Sequence, residues 1–257
     1  MGDGTKIEWT DATWNPVVGC KAVSPGCDHC YAARYASRNL SDTYRGLAEN
    51  GVFNGTVRML PERLDQPLRW KKPRRIFVNS MSDLFHPDVP DSFIEQVFDV
   101  MNRARQHTFQ VLTKRPQAMA RWADRWYPFG MAPNVWLGTS IESDSYTFRA
   151  NYLRLVPEST RFLSLEPLLG PLPSLDLAGI DWVIVGGESG PGARPMRPRW
   201  VRDIRDRCID AEVAFLFKQW GEYRTYLMTD GSLLTTRPGK KAAGRELDGR
   251  TWDEYPK

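Results

Sequence analysis

The sequence predicts an α/β protein built as a parallel (β/α) barrel, complete or partial, and three observations carry that prediction. Short apolar runs alternate with amphipathic helical stretches along most of the 257 residues. The runs are continuous instead of alternating, as in parallel strands covered on both faces. Nearly every run also ends in polar residues able to do chemistry, which is how the C-terminal rim of such a barrel is built. An open doubly wound sheet is the other architecture that this rhythm allows.

In chain order, Trp14–Gly19 reads as a weak strand, and a helix is expected from Cys30 with Tyr31, Tyr35 and Ala36 on one side. Residues 41–69 are polar, carry Gly46, Gly51, Gly55, Pro61 and Pro67, and read as loop and short helix in the place of a lid. Ile76–Val78 is a strand ending in Asn79-Ser80-Met81-Ser82-Asp83. The spacing Ser92-x-x-Glu95 fits a capping box, so a helix should start near Ser92 with Phe93, Val97, Val100, Met101 and Ala104 inward. The strand Thr108–Thr113 ends in Lys114-Arg115-Pro116 and is followed by a helix through Trp126.

Asn134–Gly138 runs into Thr139-Ser140-Ile141-Glu142, and a helix around residues 145–155 leads to the strand Thr160–Leu165, which ends in Glu166. Asp181–Val185 ends in Gly186-Gly187-Glu188. Pro198 suits the first turn of a helix that turns Val201, Ile204 and Cys208 inward, and Ala214–Phe217 ends in Lys218. This makes roughly six or seven β/α units. One domain is expected over residues 1–226, with a polar, Gly-rich, loosely packed tail over 227–257.

A hydrophobic fraction of 41% supports a sizeable core. No run reaches the roughly 18–20 apolar residues of a membrane span, and Met1–Ile7 lacks the blocks of a signal peptide. The expectation is a soluble cytoplasmic protein with reduced thiols and no membrane partner. The net charge of +4 is concentrated in Arg69, Lys71, Lys72, Arg74 and Arg75, and in Arg194, Arg197, Arg199 and Arg202. These runs read as a solvated face or an anionic small-molecule site, or as a nucleic-acid surface with Trp70 and Trp200 as stacking partners.

Three of the four cysteines, Cys20, Cys27 and Cys30, follow the first strand with the spacing C-x6-C-x2-C. Thiolates this close in a reducing compartment suit a soft metal or an iron–sulfur cluster better than a disulfide. Structural zinc and electron-transfer clusters usually take four protein ligands, so three leave one position open for chemistry. Zinc would need a fourth ligand, and neither His29, beside Cys30, nor His86 or His107 has a spacing that supplies one. A redox thiol is the third reading. Cys208 belongs to an apolar helix face.

A three-cysteine loop after the first strand of a β/α barrel resembles the radical S-adenosylmethionine (SAM) superfamily. The usual superfamily spacing is C-x3-C-x2-C; here the first gap is six residues and His29 takes the aromatic position. The strings Ile7–Pro16, Gly19-Cys20, Ser24-Pro-Gly-Cys27 and Cys30-Tyr-Ala32 are similar to a narrower, phage-associated three-cysteine-motif family. Asn79–Phe85, Leu112–Arg115, Gly138–Ser140, Leu165–Leu168, Gly186–Gly190 and Lys218–Gly221 extend that resemblance over almost the whole chain.

The resemblance implies a [4Fe-4S] cluster on Cys20, Cys27 and Cys30, with SAM on the free iron. It further implies cleavage of SAM to methionine and a 5′-deoxyadenosyl radical. By position, Ser80, Ser82 or Asp83 would bind the SAM amino group in place of the superfamily's early Gly-Gly-Glu. Lys114 or Arg115 would pair with its carboxylate, Ser140 and Glu142 with ribose, and Gly186 and Gly187 would let backbone approach adenine or sugar. Glu166 and Lys218 then serve the substrate, and Lys114, Glu166, Glu188 and Lys218 are the candidate catalytic residues.

Two function classes follow. One is a radical SAM enzyme acting on a nucleotide or nucleic acid, with a reductant or partner protein supplying electrons. The other is a zinc-stabilised, non-enzymatic protein that binds nucleic acid or a partner. Hydrolysis by Glu166 and Glu188 would leave the cysteine loop without a purpose.

Overall fold

The structure, a computed structural model, describes residues 4–39, 41–228 and 231–256. The first half of the chain carries β1 (Ala12–Trp14), β2 (Val17–Val18), α1 (Tyr31–Arg38), β3 (Ala48–Glu49), β4 (Val52–Phe53), β5 (Arg58–Met59), β6 (Arg75–Val78), α2 (Asp91–Arg103), β7 (Thr108–Thr113) and α3 (Pro116–Trp126). It continues with β8 (Val135–Ser140), α4 (Phe148–Arg154), β9 (Thr160–Leu165), β10 (Trp182–Gly186), α5 (Pro198–Asp210), β11 (Ala214–Gln219), β12 (Arg224–Leu227), β13 (Leu233–Thr236) and α6 (Lys240–Ala243). A seven-stranded sheet has the order β1-β6-β7-β8-β9-β10-β11, with parallel pairing. Six of these strands are the apolar runs of the sequence, and the polar residues that close each run stand at the strand C-terminal ends. The first strand is Ala12–Trp14 instead of the expected Trp14–Gly19, of which Val17–Val18 pairs antiparallel with β5. The chain divides into two compact units, Met1–Thr139 with Tyr152–Arg161, and Ser140–Asn151 with Phe162–Lys257.

In the first unit, Ala12 and Trp14 of β1 and Ile76 and Val78 of β6 are fully buried. The Trp14 ring can be buried at little polar cost because its indole N–H donates to the Arg63 carbonyl at 2.7 Å. Helix α1 begins at Tyr31 with Cys30 as its N-cap, as expected, but its buried face is Ala32, Ala33 and Ala36. Tyr31 and Tyr35 are instead 56% and 41% exposed. Only small side chains fit here, because Tyr44, Leu47 and Leu60 of the following segment pack with Val18, Ala32, Ala36 and Met81. Residues 41–69 are therefore a largely exposed or half-buried covering anchored by those three buried side chains, and the β3–β4 and β2–β5 ladders tie it down.

Helix α2 starts at Asp91, and the expected Ser92–Glu95 box does not form. Pro90, at φ −64° and ψ 143°, is the N-cap, two residues before the Ser92 cap that the box requires. Ser92 then lies inside the first turn, where its carbonyl accepts from the Gln96 amide. The apolar face expected for this helix is buried as Phe93, Val97, Val100 and Met101, with Ile94 and Phe98 added.

In the second unit, every residue of β10 is buried, and α5 turns Val201, Ile204 and Cys208 inward from a Pro198 start, as expected. In the segment after residue 226, the described residues 231–242 are largely exposed, but the part that follows is packed. After the β12–β13 hairpin and α6, Leu247 and Trp252 return to the core. Phe217 N–H donates to the Trp252 carbonyl at 2.9 Å, Leu216 bridges Asp253, and the Trp182 indole donates to the Glu254 carbonyl at 2.8 Å. The C-terminal residues thus cover the outer edge of β11, which would otherwise expose unpaired backbone groups.

Candidate functional site

The cysteine loop of the first unit hangs from the ends of β1 and β6. Asn15 Oδ1 accepts from Ser80 Oγ at 3.1 Å and from Met81 N–H at 3.0 Å, and Asn79 Oδ1 accepts from Val17 N–H at 3.3 Å. Asn79 takes a left-handed φ of 60°, tolerable for Asn, and turns the chain away from the sheet. Ser82 Oγ donates to the Val17 carbonyl at 2.8 Å, and Gly19 pairs with Ser82. Gly19 has no substitute: at φ +88° a Cβ would lie 2.2 Å from the Thr56 carbonyl. These contacts fix the chain one residue before Cys20.

Cys20, Cys27 and Cys30 are free thiols of intermediate exposure. Cys27 closes a 3-10 turn over Pro25–Cys27, and Cys30 N–H donates back to its carbonyl at 3.3 Å. Burial pushes the Cys20 thiol up to about 11, with the Asp83 charge adding, Arg115 opposing and Cys30 adding a little. Cys20 and Cys30 are thus within electrostatic reach of each other. Among the described residues, no group of three or more His, Cys, Asp or Glu side chains is arranged to hold a metal ion. The donor set nevertheless fits one: three soft thiols, none in a disulfide, two of them flanking one turn.

Asp83 is the hub of this region and is buried. Its Oδ1 accepts from Thr113 Oγ1 at 2.7 Å and Phe85 N–H at 3.0 Å, and its Oδ2 from Lys114 N–H at 3.2 Å and Arg115 Nη1 at 2.8 Å. Arg115 Nη1 also reaches Cys20 Sγ at 3.9 Å, and its Nη2 donates to the Lys21 carbonyl at 3.1 Å. Asp83, Lys114 and Arg115, predicted from two separate strand ends, therefore meet beside the first cysteine. Asp83 is spent on the protein's own donors, whereas Ser80 and Ser82 each donate once and keep lone pairs to accept with. The Tyr31 hydroxyl, missed in the sequence, donates to the Ser80 carbonyl at 2.6 Å.

In the second unit each strand-end carboxylate has a cation. Lys218 Nζ lies 2.7 Å from both Glu166 oxygens. Gln219 Nε2 donates to the Gly187 carbonyl at 2.7 Å and to Glu166 Oε1 at 3.3 Å, while its own Oε1 is buried without a partner. Glu142, fully buried, takes Arg149 Nη1 on Oε2 at 3.0 Å and leaves Oε1 unpartnered. The same Arg149 donates to the Ser140 carbonyl at 2.9 Å and lies 4.4 Å over the Tyr146 ring. Glu188 accepts from the backbone and Nε of Arg194, both at 2.8 Å.

The glycines serve the chain itself. A Cβ on Gly187 would sit 2.0 Å from the Trp220 carbonyl, and one on Gly186 would meet the Glu166 side chain at 3.1 Å. The close approach expected of these two glycines is made by neighbouring strand ends. Arg149 and Gln219 were not singled out in the sequence, and Arg194 was read only as part of a basic run, not as the partner of Glu188. Gln219 alone had a signal, adjoining Lys218 at the end of a strand.

Residues 4–256 match the family described as "Protein of unknown function (DUF5131)". The chain belongs to this family. No curated protein matches the sequence. Among solved structures, it is similar to spore photoproduct lyase. A Cys-to-Ser mutant of that protein gives a TM-score of 0.51 at 14% identity, over 92% of this chain and 71% of that one. Its complex with dinucleoside spore photoproduct gives 0.51 at 12% identity, over 92% and 71%. A double mutant with bound AdoMet and dinucleoside spore photoproduct gives 0.51 at 11% identity, over 93% and 71%. At these identities the likeness is one of fold, and the seven-stranded parallel sheet is that of a partial (β/α) barrel.

Proposed function

We propose that this member of the family is a SAM-dependent enzyme in which Cys20, Cys27 and Cys30 hold a [4Fe-4S] cluster. The observation that carries this reading is the donor set, three free thiols within eleven residues at the end of the first strand pair. The fold shared with a lyase whose structure contains AdoMet supports it. When bound, cluster and SAM supply reductive cleavage of SAM to methionine and a 5′-deoxyadenosyl radical.

The chain's own residues prepare that chemistry. Arg115, fixed by Asp83, donates toward Cys20 Sγ and lowers the cost of the thiolate form. Ser80 and Ser82 keep acceptor lone pairs for the SAM ammonium, and Lys114 is the counter-ion for its carboxylate. In the second unit, Glu142 Oε1 is a buried acceptor without a partner. Lys218 and Glu166 form a matched donor and acceptor for a polar substrate group, held in place by Gln219.

A nucleotide or nucleic acid is the substrate class that we favour. Two of the similar spore photoproduct lyase structures hold dinucleoside spore photoproduct. In this chain Arg74 stacks 5.1 Å over Trp70 and Arg197 5.7 Å over Trp200, pairs suited to phosphate and base contacts. The test is oxygen-free purification and reconstitution, followed by metal and sulfide analysis and by incubation with SAM and a reductant. About four irons and four sulfides per chain are expected, with 5′-deoxyadenosine formed. Stoichiometric zinc without iron overturns the reading in favour of a zinc-stabilised binding protein.

A further inference from the structure

Beside the cysteine loop, within the first unit, lies a cleft of about 670 Å³ bordered by Lys21, Val23, Val57, His86, Asp88 and Arg115. His86 is 4% exposed. Its Nδ1 accepts from Asp88 N–H at 3.3 Å, which assigns the ring proton of the neutral imidazole to Nε2. Nε2 is buried and has no hydrogen-bond partner. Burial, with the Arg115 charge added, lowers the His86 pKa and keeps the ring neutral near pH 7. A buried N–H without an acceptor is costly, so this group calls for a partner.

The remaining wall has matching chemistry. Lys21 is exposed and follows Cys20 directly. Arg115 adds a second cation, partly balanced by Asp83 behind it. Asp88, the one carboxylate of the wall, sits on the Nδ1 side of His86, its Oδ2 3.7 Å from that nitrogen. Val23 and Val57 supply apolar surface, and the volume suits a small organic molecule more than a lone ion.

We infer that this cleft binds a small organic anion of nucleotide size, its phosphate or carboxylate accepting from Lys21, Arg115 and His86 Nε2–H. Because Arg115 also touches Cys20, a ligand there would lie one side chain away from the proposed cluster. The cleft itself needs no cluster, so the two ideas can fail separately.

The test is calorimetric titration of the full-length protein, cluster-loaded and cluster-free, with adenosine monophosphate, adenosine, SAM and methionine. Adenosine monophosphate should bind at least about ten-fold tighter than adenosine in both preparations. Lys21→Gln and His86→Phe should each remove about ten-fold of that preference and leave adenosine binding unchanged. The same variant dependence with SAM or methionine instead would assign the anion as a carboxylate and keep the site. Equal affinities for charged and neutral ligands, or variants that leave the preference intact, overturn it. Lys21 is on the surface, so the Lys21→Gln arm decides the matter even if His86→Phe fails to fold.

Discussion

The strand ends of the two units handle buried charge in different ways. In the first, one carboxylate, Asp83, gathers donors from β7 and the loop after β6 and holds Arg115 against Cys20. In the second, Glu142, Glu166 and Glu188 are each matched to one cation, Arg149, Lys218 and Arg194. A hub leaves its centre no spare valence, so ligand chemistry there falls to the groups around it. Separate pairs keep spare acceptors, as at Glu142 Oε1 and Gln219 Oε1.

The largest expected effect separates the cysteine loop from the remaining thiol. Cys27→Ala should reduce reconstituted iron to background, whereas Cys208→Ala, whose thiol burial pushes up to about 12, should keep full iron and lose roughly 1 kcal/mol to a small cavity. Equal iron in both variants would remove the ligand assignment. Next comes the hub. Asp83→Ala strands a largely buried Arg115 and should cost about 3–5 kcal/mol in urea unfolding. Glu142→Ala, which strands Arg149, should approach that figure. A loss below about 1 kcal/mol at Asp83 would contradict its role as hub.

Glu166→Gln should behave differently, because this carboxylate is 22% exposed and its partner Lys218 12%. We expect about 1 kcal/mol or less of stability lost, iron content unchanged, and SAM-dependent turnover of the substrate abolished. Loss of iron together with turnover would show the pair to be a fold element. The smallest effect is at the surface, where the Arg202 hydrogen bond holds the Asp248 carboxyl at about 2, with Arg205 adding to it. A depressed carboxylate pKa stabilises the fold above the unfolded value of 3.8 and loses that contribution as pH falls toward 2. Asp248→Asn should therefore flatten the acid limb of a stability–pH profile between pH 4 and 2. The amount is under about 1 kcal/mol, since both side chains are more than a third exposed.

The strands were legible because continuous apolar runs have few other uses: Thr108–Thr113 and Thr160–Leu165 agree with the structure residue for residue, and α3 ends at Trp126 as expected. The polar strand ends were legible as positions. Their bonding was not, because Asp83 meets Thr113 across thirty residues and Glu166 meets Lys218 across fifty-two, separations on which local pattern is silent. The C-terminal segment misled for a related reason. Its Gly-rich, charged composition hides Leu247 and Trp252, two side chains that bury against the second unit's core. At α2 the Ser92–Glu95 spacing was a sound capping signal overruled by the fixed φ of Pro90.

The central claim is that three thiols on one loop hold a cluster that meets SAM, and electron paramagnetic resonance of the reduced, reconstituted protein tests it most directly. The account predicts the signal of a reduced [4Fe-4S] centre that shifts when SAM is added and is missing from Cys27→Ala. A protein that takes up only zinc, or a cluster signal that SAM leaves unmoved, would contradict it.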